Sequence, residues 1–152
     1  MLQEIDSMVK EIAILLKVTD ESNGSIAASY DYILADEAYQ ALPALLKQEF
    51  GLEIKGRLVR KYVRDKKGEQ IEVNIIGEAT RNGDHFVIVG ESKAQLSRNK
   101  IEEFLHKKLK RLDGVFQGEL FPIMVTHMIS QPDVDEFALK QGVKRVYYSY
   151  EF

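Results

Sequence analysis

Ile71–Lys93, IEVNIIGEATRNGDHFVIVGESK, is the stretch from which the fold follows. It has the pattern of two β-strands joined at Asn82-Gly83, because a two-residue type I′ turn needs positive φ at both central positions and this pair tolerates it. With that loop Arg81 pairs with Asp84. Continuing the same register outward places Asn74 across from Glu91 and Glu72 across from Lys93. Side chains alternate with period two along a strand, so Glu91 and Lys93 share one face. Directly opposed Cβ atoms lie about 4.5 to 5.5 Å apart. Four polar side chains are therefore expected to converge between apolar neighbours, and that patch is where chemistry is sought.

Outward from the hairpin, Leu52–Arg64 alternates Ile54, Leu58 and Tyr62 with Lys55, Arg57, Arg60, Lys61 and Arg64. It predicts a strand with one wet face, closed by the turn Asp65-Lys-Lys-Gly68. The three strands, about 54–64, 70–79 and 85–93, form an antiparallel meander. A helix is expected over about 99–112, capped by Asn99 with Glu102 or by the rival Ser97, its apolar stripe being Ile101, Phe104, Leu105 and Leu112. Leu120–Ile129 is nearly continuous apolar, as in a strand covered on both faces. Pro132 then opens a helix that Gly142 ends, and Val143–Tyr150 is a last strand. Strand, helix, strand within about thirty residues makes a βαβ unit with parallel strands. The expected fold class is α/β (α+β): a meander followed by βαβ, in a mixed central sheet flanked by helices.

Before the meander, residues 1–17 place Leu2, Ile5, Met8, Val9, Ile12, Leu15 and Leu16 at helical spacing. This amphipathic helix packs on its own domain or pairs with a second copy; a homo-oligomer through this helix is the second of the two alternatives. Val18–Ser25 has loop composition. A second helix is expected from about Ala28 to Gln40 and a third, short one from Pro43 to Phe50, with Gly51 as the C′ residue; one helix kinked at Pro43 is the alternative. The chain divides on this basis into an N-terminal helical segment, 1–34, and a domain, 35–152.

The 152 residues are 45% apolar and 30% charged, ordinary for one folded domain. The absence of Cys excludes disulfides, thiolate metal sites and a cysteine nucleophile. No apolar run approaches the roughly 18 residues of a membrane helix, and Glu4 and Asp6 stand where a signal peptide carries positive charge. A cytoplasmic protein without a membrane partner is expected. The net charge of −3 conceals two basic blocks: 55–67 has seven basic residues against one acid, and 93–111 has seven against two. Such blocks suit a phosphate backbone, hence DNA, and also suit solvated faces. His85, His106 and His127 lack paired metal-ligand spacing, and His127, in the apolar strand, is expected to be a hydrogen-bonded core residue. No Ser-His-Asp arrangement or glycine-rich phosphate loop rises above chance in the sequence.

The element order resembles the restriction-endonuclease-like core of the PD-(D/E)XK nuclease superfamily, and Glu91-Ser92-Lys93 matches its (D/E)-X-K triplet. Asn74, in IEVNII, occupies the place of the family's Asp, and Glu37 is the candidate for its helical Glu. The combination DEAYQALPALL, EVNIIGEA, VIVGESKAQLS and VYYSYEF is similar, over roughly 35–152, to an uncharacterised prokaryotic group in that superfamily whose members often carry an N-terminal coiled coil. The resemblance implies a hydrolase cleaving phosphodiesters of DNA, with Glu91, Lys93 and Asn74 as catalytic residues. Mg²⁺ or Mn²⁺ would be held by Glu37, Asn74 and Glu91, with Glu72 on the same face as Asn74 in reserve. Lys93 would orient the attacking water or stabilise the developing charge. Gln95, Arg98, Lys100, Lys61 and Arg64 are the expected nucleic-acid contacts. Two other readings stay open: a satisfied polar ladder without metal, in which Glu72 pairs with Lys93 and Asn74 with Glu91; and a catalytically inactive nuclease-fold module for nucleic-acid binding or protein assembly.

Overall fold

The structure, a computed structural model, describes residues 24–152. The expected helix over 1–17, its self-association and the first part of the 18–25 loop lie outside the described residues.

Helix α1 (Gly24–Phe50) is continuous, with Pro43 inside it, so the single-helix alternative holds and the helix begins before Ala28. It also runs through the division drawn at 34/35. Its inward stripe, Leu34, Ala35, Ala38, Leu42 and Leu46, is fully buried, and burial of each leucine contributes roughly 1.5 to 3 kcal/mol. That packing offsets the amide bond Pro43 cannot make. Gly51 ends the helix with φ +69°. There the Gly51 N–H donates to Lys47 O (3.0 Å) and the Leu52 N–H to Leu46 O (3.4 Å), the paired bonds of a left-handed helix stop.

The sheet has five strands in the order β1 (Glu53–Arg64), β2 (Gln70–Arg81), β3 (Asp84–Leu96), β4 (Glu119–Ile129), β5 (Arg145–Tyr148). The first three are antiparallel, and β3, β4 and β5 are mutually parallel. Asn82 (φ 52°) and Gly83 (φ 83°) form the expected turn, and Arg81 pairs with Asp84. Helix α2 (Arg98–Phe104) is capped by Ser97, whose Oγ accepts the Lys100 N–H, so Ser97 and not Asn99 starts it. It continues as a π-helical turn over Leu105–Leu109 and a last α turn, Lys110–Leu112. Helix α3 (Val134–Lys140) begins two residues beyond Pro132, behind Asp133 with φ 68°.

The sheet carries a core on each side. Under α1 lie Ile75, Ala79, Phe86, Ile88, Ile123, Val125 and Tyr147. Under α2 and α3 lie Val73, Ile76, Val87, Val89, Met124 and Val146. β4 supplies both cores, as its unbroken apolar run requires.

Candidate functional site: an ionic quartet where two strands part

The hairpin keeps its predicted register from Arg81↔Asp84 to Ile75↔Gly90, and the ladder ends there. The pairs Asn74 with Glu91 and Glu72 with Lys93 do not form. The cause is an irregularity in β2. Between Val59↔Ile76 and Lys61↔Val73, β1 advances two residues while β2 spends three. Val73 and Ile76 accordingly lie in the same core, and Ile75 in the opposite one. An extra residue of this kind is a β-bulge, which takes Asn74 out of step with β3. α1 then covers the stretch of β3 that β2 has left. The Ala94 N–H donates to Asp31 Oδ1 (2.7 Å), and the Ser92 hydroxyl donates to the Asp31 carbonyl (2.5 Å). Regular alternation lapses as well: Ile88 belongs to the α1-side core and Leu96, an even number of residues on, to the α2-side core.

The two charges of the triplet consequently find partners on opposite helical layers. Lys108, on the π-helical turn, donates to Glu91 Oε1 at 2.5 Å, with side chains 19% and 8% exposed. Lys93 Nζ stands 3.6 Å from Asp31 Oδ2 on α1, with side chains 26% and 16% exposed. Two carboxylates and two ammoniums thus balance. Burial pushes the Asp31 carboxyl above its ordinary range, against the Ala94 N–H and the Lys93 charge, which favour its ionised form.

The other predicted members lie elsewhere. Glu72 Oε1 accepts the Tyr32 hydroxyl (3.0 Å), a bond that raises the phenol's pKa. Asn74 is buried, and its backbone carbonyl accepts the Tyr39 hydroxyl. Glu37 is exposed on α1, and its charge is felt at His127. Burial lowers the His127 pKa, and its Nδ1 is 2.6 Å from Ser149 Oγ, the hydrogen-bonded environment expected of it. Sequence reasoning chose Glu37 and missed Asp31 and Lys108. The signal was present. Asp31 continues the stripe of Ala35, Ala38, Leu42 and Leu46, and Lys108 fills the gap between Phe104 and Leu112, so each helix carries one charge where an apolar residue belongs.

A divalent cation needs several hard oxygens directed at one point. Among the described residues no three His, Asp or Glu side chains come together in that way. Glu91 Oε1 is held by Lys108, and the Asp31 oxygens by the Ala94 N–H and Lys93. As they stand, these residues do not fit Mg²⁺ or Mn²⁺.

The basic blocks are partly consumed internally. Arg111 pairs with Asp65 (2.7 Å) and Glu69 (3.4 Å), Lys66 with Asp113 (3.9 Å), and Arg64 donates to the Gly68 carbonyl. Of the remaining expected contacts, Lys100 Nζ donates to the Gln95 carbonyl and the Arg98 guanidinium lies over the Phe137 ring. Lys55, Arg57 and Lys61 are exposed and carry no ion pair among the described residues. They follow one another along β1 and, with Phe116, line a hollow of about 240 Å³ on the α2 side of the sheet. A second hollow of about 440 Å³, lined by His85, Gln117 and Gly118, shares Glu78, Val87 and Phe116 with it.

Comparison of the chain with family models, with curated proteins and with solved structures finds no match of any of the three kinds. Fold and site together define an α+β domain, a mixed five-stranded sheet between helical layers, with an ionic quartet at the break in its hairpin. No helix among the described residues is long and apolar enough to cross a membrane.

Proposed function

We propose that the chain is a nucleic-acid-binding module built on the PD-(D/E)XK nuclease fold, whose triplet serves structure rather than hydrolysis. The observation that carries this is the pairing of both triplet charges, Glu91 with Lys108 and Lys93 with Asp31, beside a row of cations on β1 that carries no ion pair among the described residues. The element order and the place of the triplet at the end of β3 support the family assignment. The row Lys55, Arg57 and Lys61 tracks phosphates, and Phe116 offers an apolar wall beside them.

Fluorescence anisotropy with single-stranded and duplex DNA across a salt series tests the proposal. Binding is expected at low salt, with Lys61→Ala reducing the slope of log K against log salt by roughly one unit. Joint replacement of Lys55, Arg57 and Lys61 by Glu is expected to abolish it, and chelators to leave it unchanged. No binding at low salt, or binding indifferent to the triple replacement, defeats the proposal. Metal-dependent hydrolysis is the second reading, favoured by the presence of Asp31, Glu91 and Lys93 around one break in the sheet. Cleavage of duplex, nicked, branched or single-stranded DNA with Mg²⁺ or Mn²⁺, lost in Glu91→Ala and Lys93→Ala, would establish it in place of the first.

A further inference from the structure

The two hollows on the α2 side of the sheet meet along one row of residues. Lys55 is paired with Glu78 across β1 and β2, and Glu78 with Val87 across β2 and β3, so the three side chains stand side by side on one face. Glu78, Val87 and Phe116 line both hollows, which puts Phe116 at their junction. The loop that carries it is seated directly on β3: a Cβ at Gly118 would stand 3.1 Å from the backbone of His85. Toward β1 the wall is cationic, with Lys55, Arg57 and Lys61. From first to last these cover roughly 20 Å at the usual rise of a strand, farther than one phosphate reaches and within the reach of several in a chain. On the other side the larger hollow, about 440 Å³, is walled by His85 and Gln117. Its size falls in the range of small-ligand sites, about 300 to 1,000 Å³.

Among these cations Glu78 is the exception. It is exposed, faces Lys55 and makes no ion pair among the described residues. A carboxylate beside a phosphate track repels what the track attracts, unless a base offers it hydrogens. An ionised carboxylate only accepts, with two oxygens side by side. Guanine alone among the DNA bases presents two adjacent donors, its ring N1–H and its exocyclic amine, and so can engage both oxygens at once, as an arginine fork does. Adenine and cytosine set an acceptor nitrogen beside their amine, and thymine flanks its one N–H with carbonyls. In a duplex these edges are consumed by pairing.

We infer, on the basis of the nucleic-acid binding proposed above, that the joined hollows are a site for one unstacked guanine of a single strand: phosphates along Lys55, Arg57 and Lys61, the base against Phe116, and its donor edge on Glu78.

The full chain is titrated by fluorescence anisotropy at low salt with labelled oligothymidylates carrying one central dG, dA or dC, with the all-thymine strand, and with a duplex of the same length. The dG strand is expected to bind about tenfold more tightly than the others, as one bidentate base contact provides, and the duplex more weakly than any single strand. Glu78→Gln is expected to erase the dG preference without loss of affinity for the all-thymine strand. Phe116→Leu keeps apolar bulk in the loop and removes the ring; it is expected to weaken every single strand about fivefold or more. Glu78 is exposed, so its variant keeps the test intact should Phe116→Leu unfold. Binding that needs Lys55, Arg57 and Lys61 but is blind to the central base leaves the nucleic-acid proposal standing and overturns this one. A dG preference that survives Glu78→Gln, or a duplex bound as tightly as the single strands, does the same. Guanosine monophosphate that displaces the dG strand at equal concentration would assign the hollows to a free nucleotide and also overturn it. No binding of any strand defeats both proposals.

Discussion

Buried charge at single residues is resolved in this protein in two opposite ways. Asp65 closes the turn between β1 and β2: its Oδ1 accepts the N–H groups of Lys67 and Glu69, and Arg111 holds its other oxygen. Burial alone would raise its carboxyl, but these partners prevail and keep it below its ordinary value of 3.8. Such a group binds its proton less readily folded than unfolded, so it contributes stability above that value and loses it as pH falls through the folded pKa. Asp65→Asn is therefore expected to lower the melting temperature at neutral pH, with the gap from the parent closing below about pH 4 in a calorimetric series. Asp31 works in the other sense. Burial holds it above 3.8, so as pH falls toward that value the folded state takes up the proton first and gains stability. Its ionised form at neutral pH is a cost carried for the sake of Lys93 and the Ala94 N–H.

At the scale of elements, the hairpin and the helices that clasp it compete for the end of β3. Gly90 is the last residue of β3 paired with β2, and it lies against both neighbouring strands: a Cβ there would stand 2.9 Å from Ile123 Cγ1 and 3.2 Å from Ile75 Cβ. Gly90→Ala is expected to destabilise the fold by about 1 to 3 kcal/mol, as overpacking does, measurable as a lower urea midpoint. The substitution acts one residue from Glu91, so a concurrent loosening of the Lys108 contact would show that the close approach of strands also sets the quartet. α1 illustrates the opposite balance. Pro43 predicts a break there, yet the helix runs on, because its stripe from Leu34 to Leu46 is wholly buried against the sheet and tertiary packing outweighs one missing bond.

Across the whole molecule, one side chain fastens the last turn of α1 to the end of the chain. Arg145 on β5 holds Glu49 of α1 (3.1 and 3.2 Å) and Glu151 of the closing 3₁₀ turn (2.5 and 3.2 Å), with its guanidinium over the Tyr147 ring. Charge-assisted bonds of this kind contribute roughly 1.5 to 3 kcal/mol each when well formed. Arg145→Met is expected to cost about 2 kcal/mol in denaturant unfolding, with faster amide exchange in the last turn than in β3. The hairpin turn, the five strands, the parallel βαβ ending and the stop at Gly51 were legible in the sequence, because each depends on a local rule: positive φ at a turn, period two in a strand, period 3.6 in a helix. Where the ladder ends, which residue caps α2, and who pairs with Glu91 and Lys93 were decided by tertiary structure. A bulge is a difference in residue count between two strands, and an ion pair across layers joins residues 17 or 62 positions apart in the chain, Lys108 with Glu91 and Lys93 with Asp31. Neither has a period along one segment; both come into being only when the helices settle on the two faces of the sheet.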